Sequence, residues 1–101
     1  MKMLMIILKE SLEEEVRALL RAQGVIGFTE MHEITGQGEA GATLNSLHWP
    51  GFNNLILAAL PESDAKRVID ALAEFRYGLA VKQHGAKIPL RVFSLPCELV
   101  V

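Results

Sequence analysis

Residues 3–8 read MLMIIL and residues 55–60 read LILAAL, and these two short apolar runs decide the fold. Each run is too short for a membrane-spanning helix, which needs about 20 apolar residues. Successive side chains of a β-strand point to opposite faces, so a strand without polar residues must be covered on both faces. We therefore predict two strands of one sheet, each apolar on both sides.

Between these strands the sequence predicts a helix and a second strand. Ser11 lies three residues before Glu14, the spacing of a capping box, and Gly24 is a typical helix end. Residues 25–35 alternate as a half-buried strand does. The helix places apolar side chains on one face at Leu12, Val16, Leu19 and Leu20, and the strand places Phe28, Glu30, His32 and Ile34 on one face.

The second half of the chain repeats this order. The apolar run is predicted as a strand over residues 54–60, and Pro61 opens a second helix that ends at Tyr77-Gly78. A strand is expected over residues 90–95, with a short edge strand over residues 98–101. The buried face of the second helix is predicted at Val68, Ile69, Leu72 and Phe75.

The resulting order β-α-β-β-α-β predicts an α+β, ferredoxin-like domain over residues 1–101, an antiparallel sheet with two helices on one face. That arrangement leaves the second sheet face open, although both central strands are apolar there. A large exposed apolar patch is not tolerated on a monomer. A second copy of the chain is the simplest cover, so we expect a homo-oligomer.

Composition narrows the function classes. The chain has 101 residues, 50% of them hydrophobic, and a formal net charge of −2, which gives no electrostatic reason to bind nucleic acid. The single cysteine, Cys97, cannot form an internal disulfide, which fits a reducing cytoplasm. We expect a cytoplasmic protein that is not inserted in a membrane, and no catalytic constellation stands out.

The segment 36–52 is the longest stretch without periodicity and carries the first candidate ligand residues. Gly36, Gly38 and Gly41 match the letters of a dinucleotide fingerprint, but no helix follows to hold a pyrophosphate. They form either a flexible loop base or a turn whose N–H groups meet an anion. The same segment contains Leu47, His48 and Trp49, which we expect to contact a partner or a neighbouring subunit.

Positive charge is concentrated later in the chain, at Arg76, Lys82, Lys87 and Arg91. These residues belong either to a solvated loop or to a phosphate or carboxylate clamp, since arginine binds such groups bidentately.

A divalent metal site is the alternative hypothesis. Glu30 and His32 share a strand face, and His48 could add a third ligand from the same or a neighbouring subunit. This hypothesis predicts that metal affinity falls as the pH drops through about 6.5, because only neutral imidazole coordinates metals.

The chain resembles the P-II signalling superfamily, in its shorter PII-like branch. The resemblance rests on residues 1–9 as the first strand, residues 24–29 as the helix-to-strand passage, Gly36-Gln37-Gly38 as the base of the mobile T-loop, and residues 92–98 as a late strand ending in Pro-x-Glu. It implies a compact trimer with inward-facing sheets and ligand clefts between subunits. The chain is also somewhat similar to CutA, a related trimeric fold linked to divalent metals.

The resemblance implies a non-enzymatic regulator. P-II proteins bind adenine nucleotides in the clefts, and their T-loop then docks onto a transporter or an enzyme. Carried over to this chain, the family pattern places Gly36 and Gly38 at the loop base and Arg91 at a phosphate-binding position. With Gly41 and Lys87, these are the predicted ligand residues, for a nucleotide or another small anion.

Overall fold

The computed structural model describes residues 1–35, 53–84 and 87–101, together with the backbone of residues 37–38 and 41–42. A 3-10 turn, Glu10–Leu12, precedes the first helix. The elements in chain order are β1 (Lys2–Lys9), α1 (Glu13–Ala22), β2 (Thr29–Ile34), β3 (Gln37–Gly38), β4 (Gly41–Ala42), β5 (Asn53–Leu60), α2 (Glu62–Lys82) and β6 (Leu90–Pro96).

The four longer strands form one antiparallel sheet in the order β2-β5-β1-β6. β1 and β5, the two apolar runs, are its central strands, and Ile6 lies opposite both Ile56 of β5 and Val92 of β6. The predicted ferredoxin-like α+β fold is confirmed. The two runs occupy the centre of the sheet, where each strand pairs with a neighbour on both of its edges.

The core lies between the helices and one face of the sheet. Alternate residues of β1 and β5 are buried there, and they pack with α1 and α2. Each fully buried Leu, Ile or Val contributes roughly 1.5–3 kcal/mol relative to an exposed one. The largest fully buried side chains are those of Leu4, Ile6, Leu8, Val16, Leu20, Ile56, Val68, Leu72 and Leu90.

The opposite face of the sheet, here called the open face, is also apolar. Its larger apolar side chains on the central strands are half-buried, and its outer members are more exposed: Met31 at 42%, Leu95 at 46% and Phe93 at 51%. The two-sided apolar character of both runs is thus confirmed. The remaining apolar residues of this face are Met3, Met5, Ile7, Leu55, Leu57 and the exposed Ala59.

The start of α1 differs from the prediction. Ser11 lies inside the 3-10 turn, and the N-cap position of α1 is Leu12, which makes no side-chain hydrogen bond to the helix. The predicted capping box of Ser11 and Glu14 is therefore wrong. The N-cap position falls one residue after Ser11, so Ser11 and Glu14 do not have the spacing of a capping box relative to the observed start of α1.

The boundaries of β2 and α2 also differ. Gly24 ends α1 with a φ of +84°, and the Val25 N–H then donates to the Leu20 carbonyl, so β2 begins at Thr29 and not at residue 25. α2 continues past Gly78 to Lys82, because Leu79 and Ala80 still pack against the core. One glycine in a helix costs only about 1 kcal/mol, which this packing offsets.

The predicted edge strand over residues 98–101 is wrong. β6 ends at Pro96, and after it the Cys97 N–H donates to the Met1 carbonyl at 3.2 Å. Leu99, Val100 and Val101 are exposed. None of the described helices is long and apolar enough to cross a membrane.

Candidate functional site

The glycine-rich residues are only partly described. β3 and β4 form a small antiparallel ladder within the predicted loop, and Gly38 lies opposite Gly41 there. Gly36 lies outside the described residues, as do Leu47, His48 and Trp49. The predicted roles of these residues stay predictions.

The predicted basic residues differ in their surroundings: Arg76 is hydrogen-bonded within the fold, whereas the other three are exposed. The Arg76 Nε donates to the Leu90 carbonyl at 2.9 Å, so this guanidinium ties α2 to the start of β6. Lys82 is the last residue of α2 and is exposed. Lys87 and Arg91 are exposed as well, and Arg91 lies opposite Ile7, which places it on the open face.

A separate cluster of charged side chains lies where α1 begins beside β2. Glu13 is the first residue of α1, and Arg17, one helical turn later, contacts it. Arg17 also reaches across to β2, where its Nε and Nη2 donate to Glu30 Oε1 and Oε2, each at 2.9 Å. This bidentate pair fastens the helix to the edge strand.

His32 completes this group, because it follows Glu30 by two residues and lies on the same face of β2. Its Nε2 is 2.9 Å from Glu30 Oε2 and 2.9 Å from Glu13 Oε1. We call Glu13, Arg17, Glu30 and His32 the α1–β2 cluster. The two carboxylates are mostly buried, with side-chain exposures of 17% and 15%, whereas the imidazole is 55% exposed.

Asn54 of β5 is hydrogen-bonded to Glu13 of the cluster. It is 3% exposed, and its Nδ2 donates to Glu13 Oε2 at 2.7 Å. Its Oδ1 accepts the Glu33 N–H at 3.1 Å. Glu33 has a φ of +56°, and the pairing of β2 with β5 shifts between Met31 and Ile34. The amide therefore satisfies a backbone N–H that the irregular ladder leaves free.

The electrostatics follow from these contacts. Hydrogen bonds from Arg17 lower the pKa of Glu30 to about 2, against the opposing effect of burial. Hydrogen bonds to Glu30 and then to Glu13 raise the pKa of His32. At neutral pH the cluster thus pairs two carboxylates with one permanent cation and one imidazole that favours its charged form.

The α1–β2 cluster contains two of the three metal ligands predicted from the sequence. The structure brings Glu30 and His32 together, whereas His48 lies outside the described residues. Glu13 was missed as a neighbour of His32, since it is 19 residues away along the chain. The i,i+4 spacing of Glu13 and Arg17 was the available signal, but this spacing predicts only the contact between those two residues.

The family model described as nitrogen regulatory protein P-II matches residues 1–98. The chain belongs to the P-II family. The match covers both helices and all four strands of the main sheet.

Solved structures agree with this P-II assignment. CPII, a nitrogen regulatory PII-like protein from Thiomonas intermedia K12, was solved with ADP, AMP and bicarbonate; it is 25% identical, with a TM-score of 0.65 over 92% of this chain and 86% of CPII. CPII with ADP, AMP and acetate gives 24% identity and a TM-score of 0.66, covering 92% and 81%. The apo form of CPII gives 22% and 0.66, covering 93% and 85%.

A search of curated proteins gives no match to this P-II chain. The family match and the CPII structures give no support to the alternative resemblance to CutA.

Proposed function

We propose that this P-II chain is a non-enzymatic regulator that binds an adenine nucleotide or another small anion in clefts between its own copies. The family match over residues 1–98 carries the proposal. CPII, which shares the fold, was solved with ADP, AMP and bicarbonate, all of them anions. Ligand binding would change the arrangement of residues 36–52, and this segment would contact a membrane transporter or an enzyme.

The open face supports assembly of identical copies. Its apolar side chains lie on β1 and β5 and continue onto the edge strands through Met31, Phe93 and Leu95. An apolar surface that spans a whole sheet is typical of an interface. A homotrimer with these faces turned inward would cover it, as the family resemblance implies.

Arg91 supports the position of the ligand. It shares the open face with Ile7 and lies on β6, an edge strand, so it would stand at the border of an assembly built on that face. Lys87, four residues earlier, is also exposed. Two open grooves of about 420 and 400 Å³ lie elsewhere on the surface, and neither is lined by Lys87 or Arg91.

The experiment is calorimetric titration of the full chain with ADP, AMP and bicarbonate. We expect Arg91→Ala to weaken nucleotide binding by about 10-fold or more, because a hydrogen bond to a charged group contributes about 1.5–3 kcal/mol. Arg21→Ala, which removes an exposed arginine from the end of α1, is the matched control and should bind as the unmodified chain does. Equal affinities of all three proteins would remove Arg91 from the site.

The linkage to the loop has its own measurement. Trp49 is the only tryptophan and lies within residues 36–52, so its fluorescence reports on that segment. A ligand can shift the segment only if it binds one arrangement better than another. We expect saturating ADP to change the Trp49 emission. Binding without any spectral change would contradict the proposed effect of the ligand on residues 36–52.

A further inference from the structure

We infer that Glu13, Glu30 and His32 form a binding site for a divalent transition-metal ion such as Zn²⁺. The inference does not depend on nucleotide binding, because its three residues are separate from Lys87 and Arg91. It differs from the metal site expected from the sequence, which took His48 as the third ligand.

Distances between the donor atoms carry the first step. One oxygen of Glu13, one oxygen of Glu30 and one ring nitrogen of His32 all lie within 4.8 Å of one another. Tetrahedral ligands at about 2.0–2.1 Å from Zn²⁺ are about 3.3 Å apart. His32 Nε2 is 2.9 Å from both oxygens, so small outward movements would admit the ion. Three protein ligands leave a fourth position to water.

The chemistry of the donors selects the kind of cation. One imidazole nitrogen with two carboxylate oxygens suits Zn²⁺ and its neighbours among the divalent transition metals. Mg²⁺ and Ca²⁺ prefer oxygen ligands alone, and a soft ion such as Cu⁺ prefers sulfur. We therefore expect Zn²⁺ to bind and Mg²⁺ to bind far more weakly.

The contacts around the ligands fix their orientation. Asn54 Nδ2 holds Glu13 Oε2, and Arg17 Nε holds Glu30 Oε1, so each carboxylate turns its other oxygen towards His32. Outer contacts of this kind orient metal ligands and change affinity by about 10–100-fold when they are removed.

Arg17 also competes with the ion. Its Nη2 bridges the same two oxygens, Glu13 Oε1 and Glu30 Oε2, that face His32 Nε2. The guanidinium is a fixed positive charge that the incoming cation must displace or tolerate. Its side chain is 32% exposed, which gives it room to move aside while Nε keeps its bond to Glu30.

The site has a defined place in the fold. It joins the first turn of α1 to β2, and β2 ends at Ile34, from which the chain leads into residues 36–52. A bound ion would therefore fix the strand that enters the segment proposed above to contact a partner.

The test uses calorimetry on the metal-free full chain near neutral pH, with Zn²⁺ and Mg²⁺ as separate titrants. We expect one Zn²⁺ per chain in the unmodified protein and at least about 100-fold weaker binding in His32→Ala, because loss of a ligand costs more than the roughly 10–100-fold typical of an outer contact. His32 is half exposed, so this variant should fold normally, which circular dichroism checks. His84→Asn is the matched control, because His84 is exposed at the end of α2 and keeps a φ of +54° that Asn tolerates.

Glu13→Gln should weaken binding as His32→Ala does. The inference is overturned if the unmodified chain does not bind Zn²⁺, or if its affinity is the same in His32→Ala. Either result leaves ADP binding through Arg91 unaffected, so the two proposals fail separately.

Discussion

Asn54 and Glu13, 41 residues apart along the chain, are joined by a 2.7 Å hydrogen bond from the buried amide to the first carboxylate of α1. The other end of the same amide accepts the Glu33 N–H. One side chain of β5 therefore connects α1, β5 and the irregular end of β2. Among the described residues, Asn54 is the one polar residue that is buried in an otherwise apolar core.

Asn54→Ala tests this connection. The variant leaves the Glu33 N–H and Glu13 Oε2 without their buried partner, and such a loss costs about 1–3 kcal/mol of unfolding free energy. Urea denaturation measures it. Lys66→Ala is the control, because its pair with Asp70 is exposed and should contribute well under about 1 kcal/mol. An equal, small effect of both substitutions would contradict a structural role for the amide.

The α1–β2 cluster predicts how stability of the metal-free chain depends on pH. The pKa of Glu30 is lowered to about 2, so its stabilisation is complete above the unfolded pKa near 4.3 and is lost as the pH falls towards 2. The pKa of His32 is raised, so its stabilisation is complete below about 6.5 and is lost as the pH rises through the native value. We expect greatest stability between these limits.

Denaturation midpoints measured across the pH range in the presence of a chelator check this prediction. Glu30→Gln should flatten the acid side of the profile, and His32→Gln should flatten the alkaline side. Profiles parallel to that of the unmodified chain would show that these ion pairs do not influence folding.

The fold was predictable because its signals are local. Apolar runs of strand length and helical spacing gave the element order, which is enough for a ferredoxin-like sheet. The α1–β2 cluster was not predictable as a whole, since Glu13 meets His32 only after α1 packs beside β2. The same limit applies to Arg76: as a basic residue it suggested an anion clamp, but its partner is the Leu90 carbonyl across the fold.

Two glycines should respond in opposite directions to substitution by alanine. Gly24 has a φ of +84°, which an L-residue with a side chain adopts with strain, so Gly24→Ala should cost about 1 kcal/mol. Gly78 lies inside α2 with open space around its Cβ position, so Gly78→Ala should stabilise by about 0.5–1 kcal/mol. Thermal unfolding of both variants measures the difference, and midpoints shifted the same way would contradict it.

The open face should govern assembly. Phe93 of β6 lies opposite Met5 of β1 and is 51% exposed in the single chain. Phe93→Asp should therefore cost little stability in an isolated subunit. In a trimer built on this face the new carboxylate would be buried among apolar side chains without a partner, and this is strongly unfavourable. Light scattering should therefore give a trimer mass for the unmodified chain and a monomer mass for Phe93→Asp.

Tyr77→Asp is the matched control for assembly. Tyr77 is an aromatic residue at 72% exposure on α2, one of the helices that cover the other face of the sheet, so its replacement should leave the trimer intact. Dissociation caused by Phe93→Asp alone places the contact on the open face. A trimer that survives Phe93→Asp, or an unmodified chain that is monomeric, would contradict both this interface and the cleft proposed to contain Arg91.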